Sequence, residues 1–436
     1  MINISYFILK HDKLKILVII LLLLQRNSSC AKESKLNLRE CLLMALGNNN
    51  LLKIASYNLY QSNSNIALIK SKHLPKISFG GFAGLAQFEG GIPVSNTFLL
   101  PLDQYYTQLL AYGEAGIYLN WLLYDSKRLS LKFEEKKVLS EIAAINIKQR
   151  QQEIIYQTAL LYCESFHSKM KLESGRIKLK LVDRAIKSAR DYYHIGWLSK
   201  SKLDQLIIQR FNIEDAVLLE EQRYQQYIDN LKLIMNIAKT DTIQLYNYPE
   251  IQVNSPDSFL PNNLITQEAD LFVSVQELKL EQAKQYNKLN INFETYLRYS
   301  TGYSWIAGIG VHLPLFDFGE KKAINEIAKY RYLSSQVENN ELKLDLEKSA
   351  HESYAKLKLL NGRVHLFKSI FQSVEIQKVE NIEYSEMPFD EFLTTIQKKQ
   401  DFLDMKIQYL IRQNEYQKEI LNYLKITGQI EVLLNQ

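Results

Sequence analysis

Residues 290–319 read NINFETYLRYSTGYSWIAGIGVHLPLFDFG, and the order of residue types in this stretch decides the fold class. Ile291, Phe293, Leu297 and Tyr299 alternate with Asn290, Asn292, Glu294, Tyr296 and Arg298, and Thr295 is the polar exception in the apolar set. Trp305, Ala307, Ile309, Val311 and Leu313 alternate in the same way with Ser304, Gly308, Gly310 and His312. A period of two belongs to a strand with one apolar and one polar face. A weaker copy lies upstream, where Ala115, Ile117, Leu119 and Trp121 alternate with Glu114, Gly116, Tyr118 and Asn120, preceded by Ile77, Phe79, Ala83 and Leu85. These strands have the length, about 9 to 11 residues, that crosses a bilayer in a tilted barrel. Tyr118, Trp121, Tyr124, Tyr303, Trp305 and Phe316 lie near strand ends, where aromatic girdles form at lipid interfaces. Alternation by itself equally suits a pair of ordinary hairpins resting one face on a helical core.

The chain around these windows lacks breakers. Of its 16 glycines, seven fall between Gly80 and Gly116 and four between Gly302 and Gly319. Over 126–193 the one breaker is Gly175, and over 320–387 it is Gly362. As continuous helix each stretch would be about 100 Å long, more than a globular domain needs. Ile142, Ile145, Ala159, Tyr162, Phe166 and Met170 recur at helical spacing with polar residues between them, which predicts long helices packed along narrow seams. Further helical stretches are expected over 38–72, 199–239, 271–288 and 391–426.

Leu123-Tyr124-Asp125 matches Leu315-Phe316-Asp317 at an offset of 192, and Tyr193 matches Tyr384 at 191. A period this long predicts a duplicated subdomain. The first repeat is expected over 32–248, with its strand pair at about 76–121. The second is expected over 263–436, with its pair at about 289–314. Pro249, Pro256 and Pro261 mark a linker over 249–262.

Residues 1–31 read as an export signal. Lys10, Lys13 and Lys15 precede the apolar run 16–24, which is too short for a transmembrane helix, and Ser29-Cys30-Ala31 has the small-x-small form of a cleavage site. Two other readings are a lipid-modified Cys30 and a buried N-terminal helix. The segment carries +3 of the chain's formal +5, which leaves the remainder at +2, too little to argue for nucleic acid. Three cysteines, Cys30, Cys41 and Cys163, exclude a disulfide scaffold, and Cys41 and Cys163 are expected in the core.

If the strands meet lipid, four per chain cannot close a barrel, and open edges are not tolerated there. That reading requires oligomerisation, and three copies give twelve strands.

Taken together, the motifs resemble those of the TolC family of outer-membrane efflux proteins. The resemblance rests on Leu36 to Leu46 followed by Asn48 to Asn50, on Leu74-Pro75-Lys76-Ile77, on Leu122 to Asp125, on Pro314 to Gly319, and on Tyr193 to Ser201. It runs from about 36 to 428, in order and twice over. It implies an α+β membrane protein: a homotrimer with a shared 12-stranded β-barrel in the outer membrane and a long α-helical periplasmic barrel. It also implies a passive exit duct for an inner-membrane pump, joined through a periplasmic adaptor. The adaptor-facing tips would be Tyr193, Gly196, Ser199, Lys200 and Ser201 in the first repeat, and Tyr384 and Pro388 in the second. The second tip lacks the glycine and is about two residues shorter, with Pro388 left to break the helix. Glu391 lies near where family members place an acidic residue at the periplasmic aperture, and three copies would form a carboxylate ring favouring cations. The first junction has Trp121, Ser126 and Lys127 where the pattern carries proline and glycine.

No motif for chemistry stands out. Gly308-Ile309-Gly310 lacks the third glycine of a dinucleotide loop, His351-Glu352 lacks the second zinc-protease histidine, and no GxSxG elbow occurs. The expectation is no enzyme, no cofactor and no metal. Glu134 to Lys137 reads as a solvated helix face. The alternatives to an efflux duct are a type I protein-secretion duct and a non-pore periplasmic coiled-coil protein, and the second has no use for four amphipathic strands.

Overall fold

Where glycine and proline are scarce, the chain is helical. The computed structural model describes residues 34–86, 110–246, 251, 264–285, 289–299, 303–313, 315–375 and 389–435. In chain order the elements are β1 (Ser34–Leu36), α1 (Leu38–Asn48), α2 (Asn50–Ser71), β2 (Lys76–Ala86), β3 (Leu110–Tyr124), α3 (Arg128–His194), α4 (Lys200–Ile234) and β4 (Ile243–Leu245). They continue with α5 (Leu264–Lys284), β5 (Asn290–Tyr299), β6 (Tyr303–His312), α6 (Glu320–Glu375), α7 (Phe389–Ile426) and a 3-10 helix (Ile430–Leu434). Helix α3 runs unbroken for 67 residues and α6 for 56. The stretch expected to continue to 387 passes beyond the described residues after Glu375, and most of the linker, with residues 1–31, also lies outside them.

Several boundaries differ from the sequence expectation. The single helix expected over 38–72 is two, because Asn49 is extended (φ −65°, ψ 126°) and its side-chain amide donates to the Ile234 carbonyl at 3.2 Å. Asparagine competes with helix for its own backbone, and here a tertiary partner rewards the break. Helix α4 ends at Ile234, short of 239: Asn236 takes φ 54°, and the Ile237 and Asn236 N–H groups donate back to Lys232 and Leu233. That reversal frees the chain to form β4, which pairs in parallel with β1 from Ser34↔Ile243 to Leu36↔Leu245. Helix α5 starts at Leu264, seven residues before the expected 271.

By packing, the chain divides into two compact units, and each draws on both sequence halves. The first comprises the described residues of 1–50, 151–261 and 350–436. Its core gathers Leu42, Ile155, Ala159, Cys163, Leu357, Ile420, Leu421 and Leu433, with a second cluster around Val182, Ala185, Leu203, Phe392 and Ile396. Each large aliphatic side chain so buried contributes about 1.5–3 kcal/mol. Gly175 in α3 lets α4 come close, because a Cβ there would lie 2.8 Å from Val217 Cγ2. Cys41 and Cys163 are buried, as expected, and burial pushes both thiols up to about 12.

The second unit comprises the described residues of 51–150 and 262–349 and holds a four-stranded antiparallel sheet in the order β2-β3-β5-β6. Its register pairs Ile77↔Leu119, Ile117↔Leu297 and Leu297↔Trp305, so the apolar sets of all four strands fall on one face. Strand β3 is longer than expected, at 15 residues, and carries a bulge: Leu122 faces Asn292, Tyr124 faces Ile291, and Leu123 is the extra residue. The bulge moves Tyr124 to the apolar face, which strict alternation would deny it.

Candidate functional site

The two sheet faces differ in chemistry. On one, the cross-strand row Phe79, Ile117, Leu297 and Trp305 stands exposed, each side chain about half to four-fifths accessible, and Ile309 and Val311 extend it. An uncovered apolar patch of this kind marks a contact with lipid or protein. Thr295, the polar exception in this set, donates its hydroxyl to the Ile306 carbonyl at 2.8 Å, so its polarity is spent within the sheet. Trp121 likewise donates its indole N–H to the His73 carbonyl at 2.9 Å.

The opposite face is wired with polar groups. Arg298 reaches Glu114 at 3.0 Å and Ser304 at 3.2 Å, and its guanidinium lies 5.4 Å from the Tyr296 ring centre. Asn120 donates to Glu294 at 2.9 Å. The Tyr118 and Tyr296 rings lie 6.0 Å apart. Gly116 makes room for Arg298, because a Cβ there would sit 2.6 Å from the Leu297 carbonyl oxygen and 2.8 Å from Arg298 Cβ. Among the described residues, β2 and β6 are the sheet's edges.

Both strand-to-helix junctions share one backbone path. Ser126 and Lys127 take φ 58° and 70°, and Phe318 and Gly319 take 48° and 93°. Each junction aspartate accepts from the N–H four residues on, Asp125 from Leu129 at 2.6 Å and Asp317 from Lys321 at 3.3 Å.

In the first unit, α3 reverses into α4 at the predicted tip. Gly196 takes φ 80°, which side-chained residues rarely adopt. The Trp197 N–H donates to Tyr192 and the Gly196 N–H to Tyr193, at 2.9 and 3.0 Å, a Schellman closure. Trp197 folds back so that its ring centre lies 6.1 Å from that of Tyr192, the apolar contact that accompanies this motif. Ile195 and Trp197 remain exposed, as does Tyr193. Ser199 caps α4 with its backbone, makes no side-chain cap bond, and leaves Lys200 and Ser201 exposed in the first turn. A cleft of about 250 Å³ beside the turn is lined by Leu198, Lys202, Gln205, Leu206, Gln209 and Leu393. Glu391, in the first turn of α7, is exposed, and its carbonyl accepts from the Thr395 hydroxyl. Tyr384, Pro388 and Cys30 lie outside the described residues.

Sequence reasoning did not anticipate the polar interior of the first unit. Glu419 is buried, holding Ser353 and Lys356 at 2.6 Å each and Asn422 at 3.2 Å. Lys356 and these hydrogen bonds outweigh desolvation and hold its carboxyl below the usual range. His167 is buried and held neutral, its pKa pushed down to about 3 by desolvation and by Lys171 and Lys418. Tyr162, fully buried, donates to the Tyr246 carbonyl at 2.7 Å. Among the described residues no helix is long and apolar enough to cross a membrane, and no group of three or more His, Cys, Asp or Glu is gathered for a metal.

The sequence matches no family model and no curated protein. The fold has solved counterparts. The chain is similar to the CmeC outer membrane channel of Campylobacter jejuni, with a TM-score of 0.71 and 13% identity over 90% of this chain and 85% of that one. It is similar to CusC, a protein studied for folding and transmembrane channel formation, with a TM-score of 0.73 and 13% identity over 89% of this chain and 91% of that one. It is similar to the outer membrane protein VceC of Vibrio cholerae, with a TM-score of 0.72 and 13% identity over 90% of this chain and 96% of that one. The chain therefore has the TolC-like fold of these outer-membrane proteins, in agreement with the expected α+β class.

Proposed function

We propose that this chain is the outer-membrane exit duct of a tripartite efflux system. Three copies would pair β2 of one protomer with β6 of the next, closing twelve strands around a shared pore. The apolar row of Phe79, Ile117, Leu297 and Trp305 would meet lipid, and the face of Arg298, Glu114, Glu294 and Tyr118 would meet water. The observation that carries this reading is the sheet itself: among the described residues, two open edges, one exposed apolar face, and one face of satisfied polar pairs. Lipid leaves no unpaired edge without heavy cost, so the edges call for neighbouring copies. The fold of solved outer-membrane channels supports it, and it makes transport passive, with small molecules or ions delivered by an inner-membrane pump.

In this reading the two sequence repeats supply two strands each, and residues 1–31 direct export, by ordinary cleavage or with lipid on Cys30. The turn at Tyr193, Gly196, Ser199, Lys200 and Ser201, with Tyr384 and Pro388 of the second repeat, faces a periplasmic adaptor. Exposed Ile195 and Trp197 give that turn an apolar contact surface. Glu391 forms a ring of three carboxylates at the periplasmic aperture and favours cations there.

The experiment is fractionation and crosslinking of the full chain, followed by recording in planar bilayers. The expected result is an outer-membrane homotrimer that conducts ions. A soluble monomer, or a trimer without conductance, overturns the proposal.

A further inference from the structure

The sheet unit also holds a cleft rich in cations. It encloses about 540 Å³ where the β2 and β5 starts and the end of β3 meet α3, and its lining includes Lys72, Lys76, Arg128 and Lys132 against the single carboxylate of Asp125. We infer that this cleft is an anion-binding station on the pore wall, built to hold a small multivalent anion such as phosphate or a phosphate-bearing solute during passage. The inference rests on the channel reading above, because Lys76, Asn120, Asn290 and Asn292 belong to the polar sheet face assigned to the pore.

The charges are poorly compensated. Among the described residues none of the four cations makes an ion pair; Arg128 donates to the neutral Asn290 at 3.3 Å. The one acid present is engaged, because Asp125 accepts from the Leu129 N–H at 2.6 Å. Glu294 stands in the same cross-strand row as Lys76 but two strands away, held by Asn120, and does not line the cleft. Arg128 and Lys132 also stand in the opening residues of α3, whose first turn carries no acid. The N-terminal end of a helix is already positive, so cations there are disfavoured unless an anion joins them. At the corresponding place in the second junction, 192 residues on, α6 opens with Glu320. The first junction thus opens its helix with a cation where the second places a carboxylate, which Lys321 and Lys322 follow.

Asn120, Asn290 and Asn292 complete the site with neutral amide groups. Lysines and an arginine around amide donors recognise phosphate oxygens as charge and as hydrogen-bond acceptors together. The bulge at Leu123 brings Asp125 and the α3 start to this side of the sheet. In a trimer the cleft repeats three times around the axis, giving twelve cations at one level of the wall. Focusing by a confined polar channel makes such a girdle selective.

The test pairs conductance with binding, on the full-length trimer and on the double variant Lys76→Gln/Lys132→Gln. Both lysines are exposed, so the variant is expected to assemble. With inorganic phosphate as the probe, the wild type should show concentration-dependent block, and titration calorimetry in detergent should show a matching phosphate affinity. In the variant both should weaken by about five-fold or more, the order expected for removing two partly screened charges. A conducting channel whose phosphate block and affinity are the same in variant and wild type overturns the station and leaves the channel reading intact. Phosphate binding that the variant loses, in a protein that never conducts, refutes the channel and with it the station's place on a pore wall. Co-purified anionic phospholipid that the variant loses, with phosphate without effect, assigns the cleft to a lipid headgroup and also overturns the proposal.

Discussion

Asp125 and Asp317 stand 192 residues apart and do the same thing: each accepts, through its side chain, the backbone N–H of the residue four places on, at the point where a strand turns into a long helix. Each is followed by two residues with positive φ, and the next N–H of each junction returns to the aspartate carbonyl, at 3.2 Å for Arg128 and 2.9 Å for Glu320. The two junctions share this geometry although their turn residues differ, Ser126 and Lys127 in one and Phe318 and Gly319 in the other.

That difference is testable. Lys127 holds φ 70° where its counterpart Gly319 is free of strain. Lys127→Gly should leave stability unchanged or raise it by up to about 1 kcal/mol, the relief of a left-handed side chain less the entropy glycine brings to the unfolded chain. Gly319→Lys should lower it by about 1 kcal/mol. Removing either capping carboxylate, as Asp125→Ala or Asp317→Ala, should cost about 1 kcal/mol. Melting midpoints of the detergent-solubilised protein check all four.

At the tip, Gly196→Val forces a branched side chain into φ 80° and opens the reversal between α3 and α4. The sheet unit has no part in that turn, so trimers should still form while export and adaptor binding fall. Normal export by the variant refutes the tip assignment. Trp197→Ala, which removes the contact to Tyr192 but keeps the glycine, should give a milder loss.

Glu391→Gln removes three charges per trimer and hardly alters shape. Bilayer recordings should show a reduced preference for cations and weaker block by divalent ions. Unchanged selectivity means that the carboxylates do not converge on the axis.

The buried His167 makes the first unit sensitive to acid. Its folded pKa is depressed to about 3, below the ordinary value of 6.5, so between those limits the unfolded chain binds a proton that the folded one refuses. Stability should therefore fall as pH drops from about 6.5 toward 3, by at most about 1.4 kcal/mol per pH unit. Lys171 and Lys418 are the charged groups that push it down, and Lys418 is itself paired with Glu164. Replacing it by His167→Gln should flatten the profile in that window, read as melting midpoint against pH.

Cys41 and Cys163 supply a readout of the core. Both are buried and their thiols are pushed up to about 12, so neither offers a thiolate near neutrality. Alkylation by iodoacetamide should be negligible in the folded protein and complete after denaturation.

The parts of this fold legible in the sequence were those with a period. Alternation through Ile291, Phe293, Leu297 and Tyr299 gave β5, and sparse breakers between 126 and 193 gave α3. Three-residue strands such as β1 and β4 are too short to show a period, and they exist because Asn236 turns the chain back. Leu122-Leu123-Tyr124 offers no alternation from which a bulge could be read, so the shift at Leu123 was invisible. The cation cleft was hidden for a different reason: Lys72, Lys76, Arg128 and Lys132 come together only through strand register and a helix start. The tip was legible because one glycine and its flanking Tyr193 and Ser199 carry the reversal locally.

The exposed row of Phe79, Ile117, Leu297 and Trp305 also constrains how the protein is made. On the proposed assembly, a protomer that has not yet met lipid or its two sisters would carry in water both a naked apolar face and, among its described residues, two unpaired strand edges. Such a surface associates promiscuously, so that unassembled interval would be the chain's most hazardous moment. On the proposed assembly, masking the sheet until three protomers meet would protect the formation of the trimer.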